Sequence, residues 1–372
     1  MKKEKKNKKP QFYSLDRILP FNADYNIIIG QRSNGKTTSV QRYALEQYVF
    51  SGYTNQLGIV RRWETDFKGK NGQQMFENVV ALGWVEEMTN GEYNSIYYYS
   101  QRWWLVKYNT ETGEKEKQDN QPFAFGFSLN SQEHYKSTSY PNITTILFDE
   151  FLTATYYMPD EFITFQNLLS TIIRQRDNVK IFMCGNTINK YCPYFSEMGL
   201  YNIKNQEQNT IDLYTYGDGK LRVAVEYCDV VEATKKANKY FAFDNPKLKM
   251  ITEGAWEVKI HPHLPVKYAP KDIEYIFFIN FDRELMQGEI IRVEDKTFLY
   301  IHRKTTPIKE DTKQLVFQQD PDFRPNYRTN ILKPYSKADK FILTLIAREK
   351  IFYQDNEIGE LFMNYIKWCE QN

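Results

Sequence analysis

An α/β fold built on a central, mostly parallel sheet, followed by a smaller α+β segment, is what the sequence predicts, and three observations carry it. A short apolar run at residues 25–29 meets the turn Gly30-Gln31-Arg32-Ser33-Asn34-Gly35-Lys36-Thr37, and a stretch without Gly or Pro follows to residue 50. A β-branched, apolar run at residues 142–148 stops at two adjacent carboxylates, Asp149 and Glu150. A third apolar run, residues 179–185, stops at the amide Asn186.

The first run, with its turn and helix, has the order strand, loop, helix that a phosphate-binding loop requires. Gly30 and Gly35 let the backbone turn tightly, so that successive amide N–H groups and the helix N-terminus face phosphate oxygens. The spacing is that of a complete Walker A loop. Gly30, Gln31, Arg32, Ser33, Asn34, Gly35, Lys36, Thr37 and Thr38 are therefore the expected ATP-contacting set, with Lys36 reaching the outer phosphates and the Thr37 hydroxyl ligating Mg2+. The competing reading is a Gly-rich turn that only looks like such a loop, and the correct flanks speak against it.

The second run is a Walker B pattern. Asp149 is expected to hold the Mg2+ through water, and Glu150 to orient or deprotonate the attacking water. In isolation the same run reads as a buried strand ending in two solvated acids; the loop upstream favours catalysis. Asn186 fits a sensor of the γ-phosphate or of water, and equally an ordinary strand-ending turn residue.

Between these runs, residues 159–176 place Phe162, Phe165, Leu168, Leu169, Ile172 and Ile173 at spacings of three and four, which predicts an amphipathic helix. It ends in Arg174-Gln175-Arg176. Charge builds on the γ-phosphate oxygens during transfer, and an arginine from a neighbour accelerates the step by roughly three to five orders of magnitude. Arg174 is a candidate for that role. A basic helix end complementing the macrodipole is the alternative, and both stay open on these residues alone.

A length of 372 residues suits a main domain of about 200 residues and a second of about 100–150. The formal net charge is +2, but residues 1–9 hold six Lys against one Glu, so the rest of the chain is slightly acidic. Such an arm is expected to be disordered, either touching a polyanion or simply solvated. No apolar stretch follows it as a secretion signal would, and no run of eighteen apolar residues occurs, so neither export nor a membrane partner is expected. The four cysteines form no Cys-x-x-Cys pair and read as reduced thiols. His261-Pro262-His263 lacks partners at ligand spacing and reads as a loop.

Further along, residues 55–63 read as a strand and 72–82 as a short helix. Residues 93–108 are aromatic-rich, 109–121 read as an exposed hairpin tip, and 123–129 resume the sheet. Tyr97, Tyr98, Tyr99, Trp103 and Trp104 interleave with Arg102 and Lys107, a composition that suits base stacking or, more commonly, a half-buried sheet. An extra strand between the phosphate motifs, and the strand to Asn186 after them, give the order typical of additional-strand, catalytic-Glu (ASCE) P-loop ATPases. The expected division is a basic arm at 1–10, the ATPase at 11–200, a linker region at 201–238 and a second domain at 239–372. In the last, β-runs at 275–281, 290–293 and 297–301 precede helices at 337–350 and 357–370. That pattern is compatible with a ribonuclease H-like nuclease, with Asp244, Asp282 and Glu284 as available carboxylates.

Together these residues resemble the genome-packaging ATPases of small tailed phages of the phi-twenty-nine-like type, over most of the chain. Ser14-Leu15-Asp16-Arg17-Ile18-Leu19 is similar to that family's opening motif and Val60-Arg61-Arg62-Trp63 to its basic motif. Tyr140-Pro141-Asn142 leading into Phe148-Asp149-Glu150-Phe151, and Asn186 followed by Pro193-Tyr194-Phe195, are similar to its later motifs. The resemblance implies a homopentameric ring that pumps double-stranded DNA through the portal of a procapsid in the host cytoplasm. It implies Arg174 as a finger acting across subunits, Lys136 as a second basic residue reaching the neighbour's site, and a C-terminal, vestigial nuclease-like domain facing the portal or a structural RNA. Glu64 stands where the family can carry a basic DNA-facing residue. Two other readings remain: a large terminase with an active nuclease, and a nucleotide-switched, nucleic-acid-binding assembly protein.

Overall fold

The structure, a computed structural model, describes residues 12–153, 157–188, 190, 192–229, 256, 259–264 and 266–372. The basic arm and Asp244 lie outside them. The chain divides into two compact units, Met1–Glu257 and Val258–Asn372.

The strands of the first unit are β1 (Tyr25–Gly30), β2 (Gln56–Arg61), β3 (Ser95–Tyr99), β4 (Arg102–Tyr108), β5 (Lys115–Gln118), β6 (Ala124–Ser128), β7 (Ile143–Asp149), β8 (Lys180–Asn186), β9 (Thr210–Tyr216) and β10 (Leu221–Tyr227). The helices are α1 (Lys36–Phe50), the short turns α2 (Lys70–Gln74), α3 (Glu77–Ala81) and α4 (Trp84–Met88), then α5 (Glu161–Ile173) and α6 (Pro193–Glu197). One sheet runs β3-β4-β6-β2-β7-β8-β1-β10-β9, with β5 on β4. From β6 to β10 every pairing is parallel, and antiparallel strands close both edges.

Every residue of β1 is buried, as a strand covered on both faces demands. Ile27 and Ile29 join Val60, Ile146 and Phe148 under Phe165, Leu168, Leu169 and Ile172 of α5. Ile28 points the other way, into Leu57, Ile59 and Leu147 under Val40, Ala44, Leu45 and Tyr48 of α1. The shared parallel direction of β1, β7 and β8 puts their C-terminal ends, and the loops that leave them, at one end of the sheet. β8 lies between β1 and β7, which sets Asn186 beside Gly30 and Cys184 beside Asp149 in register.

Residues 201–238, expected as a linker, do not hold that role over 210–227. There β10 pairs in parallel with β1, Val223 opposite Tyr25 through Tyr227 opposite Ile29, and β9 returns antiparallel. The Asn/Gln-rich lead-in reads as solvated, but Gln206 is buried and its amide donates to the Val225 carbonyl at 2.8 Å. Glu226, also buried, accepts from the Tyr13 hydroxyl at 2.7 Å. Polar side chains that bond inward look like linker in a sequence. Residues 109–121 form the exposed hairpin expected, β5 pairing with β4, and Asp119 at its return is buried and accepts from the Tyr48 hydroxyl at 2.7 Å.

The second unit holds β11 (Ile273–Phe281), β12 (Glu284–Val293), β13 (Lys296–Arg303), β14 (Leu315–Gln318), β15 (Tyr327–Arg328), α7 (Lys337–Ala347), β16 (Ile351–Tyr353) and α8 (Asn356–Gln371). The first three form an antiparallel meander in a sheet ordered β15-β14-β11-β12-β13-β16, and the other pairings are parallel. A Cβ at position 288 would overlap the Phe277 ring across the ladder, so only glycine fits there. Ser336 and Asp339 form a capping box at α7, and Asp355 caps α8 by accepting from the Ile358 amide at 2.8 Å. Among the described residues no helix is long and apolar enough to cross a membrane.

Candidate nucleotide site

The loop between β1 and α1 turns through two left-handed residues, Ser33 at φ 58° and Gly35 at φ 93°. Gly35 is the N-cap of α1, so the helix N-terminus opens directly onto the loop. A cavity of about 310 Å³ lies over it, lined from the loop by Arg32 to Thr38 and from the strand ends by Asp149, Glu150, Cys184, Gly185 and Asn186. The loop and strand-end residues expected from the sequence thus meet at one place, with Gly30 and Gln31 forming the loop's base.

Lys36 is buried and folded back on this base. Its Nζ donates to the carbonyls of Gly30 at 3.3 Å and Gln31 at 2.6 Å, and to Oδ1 of Asn34 at 3.1 Å and of Asn186 at 3.3 Å. Burial pushes its pKa below the ordinary lysine value, against the pull of the thiols Cys228 and Cys184 and of Asp149. The Thr37 hydroxyl donates to Asp149 Oδ1 at 2.7 Å. Two hard oxygens therefore stand side by side at the helix N-terminus, a donor set that suits Mg2+ when phosphates and water complete its shell. Among the described residues no three His, Cys, Asp or Glu side chains gather as a metal cage of their own.

Arg61, the last residue of β2, was not among the expected site residues. Its guanidinium pairs with Asp149 Oδ2 at 2.9 Å and Glu150 Oε2 at 2.6 Å. Burial alone would weaken its charge, but the two carboxylates outweigh that and raise its pKa. Glu150 has φ 57°, a backbone that costs a residue with a side chain about 1–3 kcal/mol. Its carboxylate is 62% exposed and faces the opening of the site. The signal for Arg61 is its place at a strand end, but only the adjacency of β2 and β7 gives it meaning, and spacing does not reveal strand order.

Arg174 and Lys136 do not line the cavity. Arg174 caps α5 with φ 55° and ψ −120°, is exposed, and donates to the Thr138 carbonyl at 3.2 Å. Lys136, two residues from Thr138, is exposed and pairs with Glu133 at 2.6 Å. The two basic residues therefore share one surface patch although 38 positions separate them. Arg176 is bound inward instead, donating to the carbonyls of Tyr140, Ile143, Ile172 and Ile173.

A phosphate-type loop at the end of a parallel sheet, with an acidic strand end beside it, defines a P-loop α/β protein. Residues 117–328, more than half of the chain, match the family described as podovirus DNA encapsidation protein (Gp16), and the chain belongs to that family. Among its relatives, a DNA packaging protein of Bacillus phage phi29 is 26% identical over 207 residues, 55% of each chain. A DNA packaging protein of Bacillus phage B103 is 29% identical over 199 residues, 53% of this chain and 52% of that one. The chain thus spans about half the length of the curated relatives it matches. The fold is similar to the bacteriophage Phi-29 viral genome packaging motor assembly, with a TM-score of 0.56 at 17% identity over 95% of this chain and 99% of that one. The Phi-28 DNA packaging motor is similar too, with a TM-score of 0.56 at 16% identity over 98% of both.

Proposed function

We propose that this chain is an ATPase that drives double-stranded viral DNA into a preformed procapsid. The observation that carries the reading is the convergence of Lys36, Thr37, Asp149, Glu150 and Asn186 on one cavity at a helix N-terminus. The loop amides and Lys36 bind the phosphates. Thr37 and Asp149 hold Mg2+, which when bound neutralises charge on the phosphate oxygens. Glu150 takes or orients the proton of the attacking water, and Asn186, beside Gly30 in the sheet, reads the terminal phosphate. The placement of β8 between β1 and β7 supports the additional-strand, catalytic-Glu class.

The second half of the proposal is a ring, pentameric by family likeness and docked on the portal of the procapsid. Arg174 and Lys136 are exposed on one patch and stand outside their own cavity, which suits groups that complete a neighbour's site. DNA translocation then follows from different affinities of ATP-bound and relaxed subunits for DNA phosphates. The meander of the second unit, flanked by parallel strands, fits a ribonuclease H-like domain. Of the carboxylates available to such a domain, Glu284 pairs with Arg303. Its face toward the portal or a structural RNA, and a polyanion contact for the lysine-rich arm, complete the partners proposed.

The test mixes two variants expected to retain only slow residual turnover, Arg174→Ala and Glu150→Gln, and follows ATP hydrolysis with double-stranded DNA. Recovery in the mixture, absent from either alone, is expected of a finger shared across a ring. No recovery in confirmed mixed assemblies would return Arg174 to its own subunit.

A further inference from the structure

Arg62 follows β2 and is buried, yet its charge is turned away from the cavity. Its Nε donates to Glu161 Oε2 at 2.8 Å and its Nη2 to Glu161 Oε1 at 2.8 Å, a bidentate fork at the first residue of α5. The same guanidinium reaches the main chain of the acidic strand end, with Nη2 donating to the Phe151 carbonyl at 2.9 Å and Nη1 to the Glu150 carbonyl at 3.4 Å. The Tyr157 ring lies 5.2 Å from the guanidinium carbon.

Glu161 is equally committed. Oε1 also accepts from the Tyr194 hydroxyl at 2.9 Å, and Oε2 from the Met158 amide at 2.8 Å. Each carboxylate oxygen therefore accepts two hydrogen bonds, and the pair is satisfied on all sides. A buried ion pair is weak evidence of a stabilising role, because an apolar pair of the same volume often serves as well. What distinguishes this one is where its remaining donors go: to the carbonyl of Glu150, whose left-handed backbone needs holding, and to that of the next residue.

We propose that Arg62, itself fixed by Glu161, is a positioning residue that sets the direction of the Glu150 carboxylate; the inference rests on the ATPase reading above. Arg62 does not line the cavity. It grips the main chain on the far side of the strand end, so that the Glu150 side chain leaves toward the cavity. Arg61 holds the carboxylate itself, and the adjacent arginines thus act on the side chain and the main chain of one residue. The tether also joins Glu150 to the start of α5, whose other end carries Arg174.

The test uses the full chain with double-stranded DNA and two substitutions. Glu161→Gln keeps the shape but removes the charge that holds the fork. Arg62→Lys keeps the charge but cannot reach Glu161 and both carbonyls together. For each, kcat is expected to fall at least tenfold, while KM for ATP and the affinity for a fluorescent ATP analogue stay within threefold. Added to Glu150→Gln, neither should lower kcat further than Glu150→Gln alone, because both act through the same carboxylate. Losses that multiply would mark a general structural role and overturn the inference. Should Glu161→Gln fail to fold, Arg62→Lys decides: parental kcat in that folded variant overturns the inference and leaves the ATPase reading standing. Parental kcat in Glu150→Gln would overturn both.

Discussion

The guanidinium of Arg61 stands 2.9 Å from the carboxylate of Asp149, the group that the proposed mechanism assigns to a metal ion. A cation already occupies that carboxylate's free oxygen, and the Thr37 hydroxyl occupies the other. Mg2+ brought by a nucleotide therefore competes with Arg61 for the charge of Asp149. Arg61→Gln is expected to tighten Mg2+-ADP binding by up to tenfold, about 1.4 kcal/mol, as titration calorimetry would record. Weaker binding would make Arg61 a ligand of the nucleotide instead.

Lys36 offers a second measurement. Its ammonium is bonded to four acceptors of the loop and of Asn186 but is desolvated, and the two effects oppose each other. Lys36→Met should lower nucleotide affinity by about a hundredfold, since it removes a charged phosphate partner, while the melting temperature changes little. The pH dependence has a sign. Burial lowers the folded pKa, so at alkaline pH the unfolded chain binds more protons than the native one. The parent then gains stability relative to Lys36→Met as pH rises toward the ordinary lysine value of 10.5. A flat difference between the two melting curves would place the Lys36 ammonium in water.

Arg174 and Arg176, two residues apart, should separate cleanly. Arg176 donates to two carbonyls at the end of α5 and two at the entry to β7, and Arg176→Ala is expected to destabilise the protein by about 2 kcal/mol through carbonyls left unpaired. Arg174 makes one long bond at the surface. Arg174→Ala should melt with the parent and lose hydrolysis by about a thousandfold. Equal melting of the two variants in calorimetry would contradict this division.

What the sequence made legible was local. A strand, a glycine-framed loop and a helix are contiguous, so Gly30 to Thr38 could be read as one object, and the apolar run ending at Asp149 and Glu150 likewise. The spacing of Phe165, Leu168, Leu169 and Ile172 revealed the buried face of α5. Relations across the sheet were hidden. Arg61 and Arg62 form one basic dipeptide in the chain, and only the pairing of β2 with β7 separates their roles. That β10 belongs to the main sheet was hidden because the strand it pairs with, β1, lies about two hundred positions earlier. In the second unit, β14 pairs with β11 from an earlier stretch of chain and β15 with β14, and both are too short for periodicity to show.

The burial of β1 between β8 and β10 has a consequence for exchange of its amide hydrogens. With ladder partners on both sides and both faces covered, Tyr25 to Ile29 cannot open without separating the two halves of the sheet. Their deuterium uptake should report the global unfolding of this unit. Residues such as Arg32 and Ser33, exposed at the tip of the loop that β1 carries, exchange far sooner. The loop after β1 is thus expected to be a fast-exchanging tip on a slow-exchanging strand, and the proposed nucleotide would be followed at the tip while the anchor stays silent.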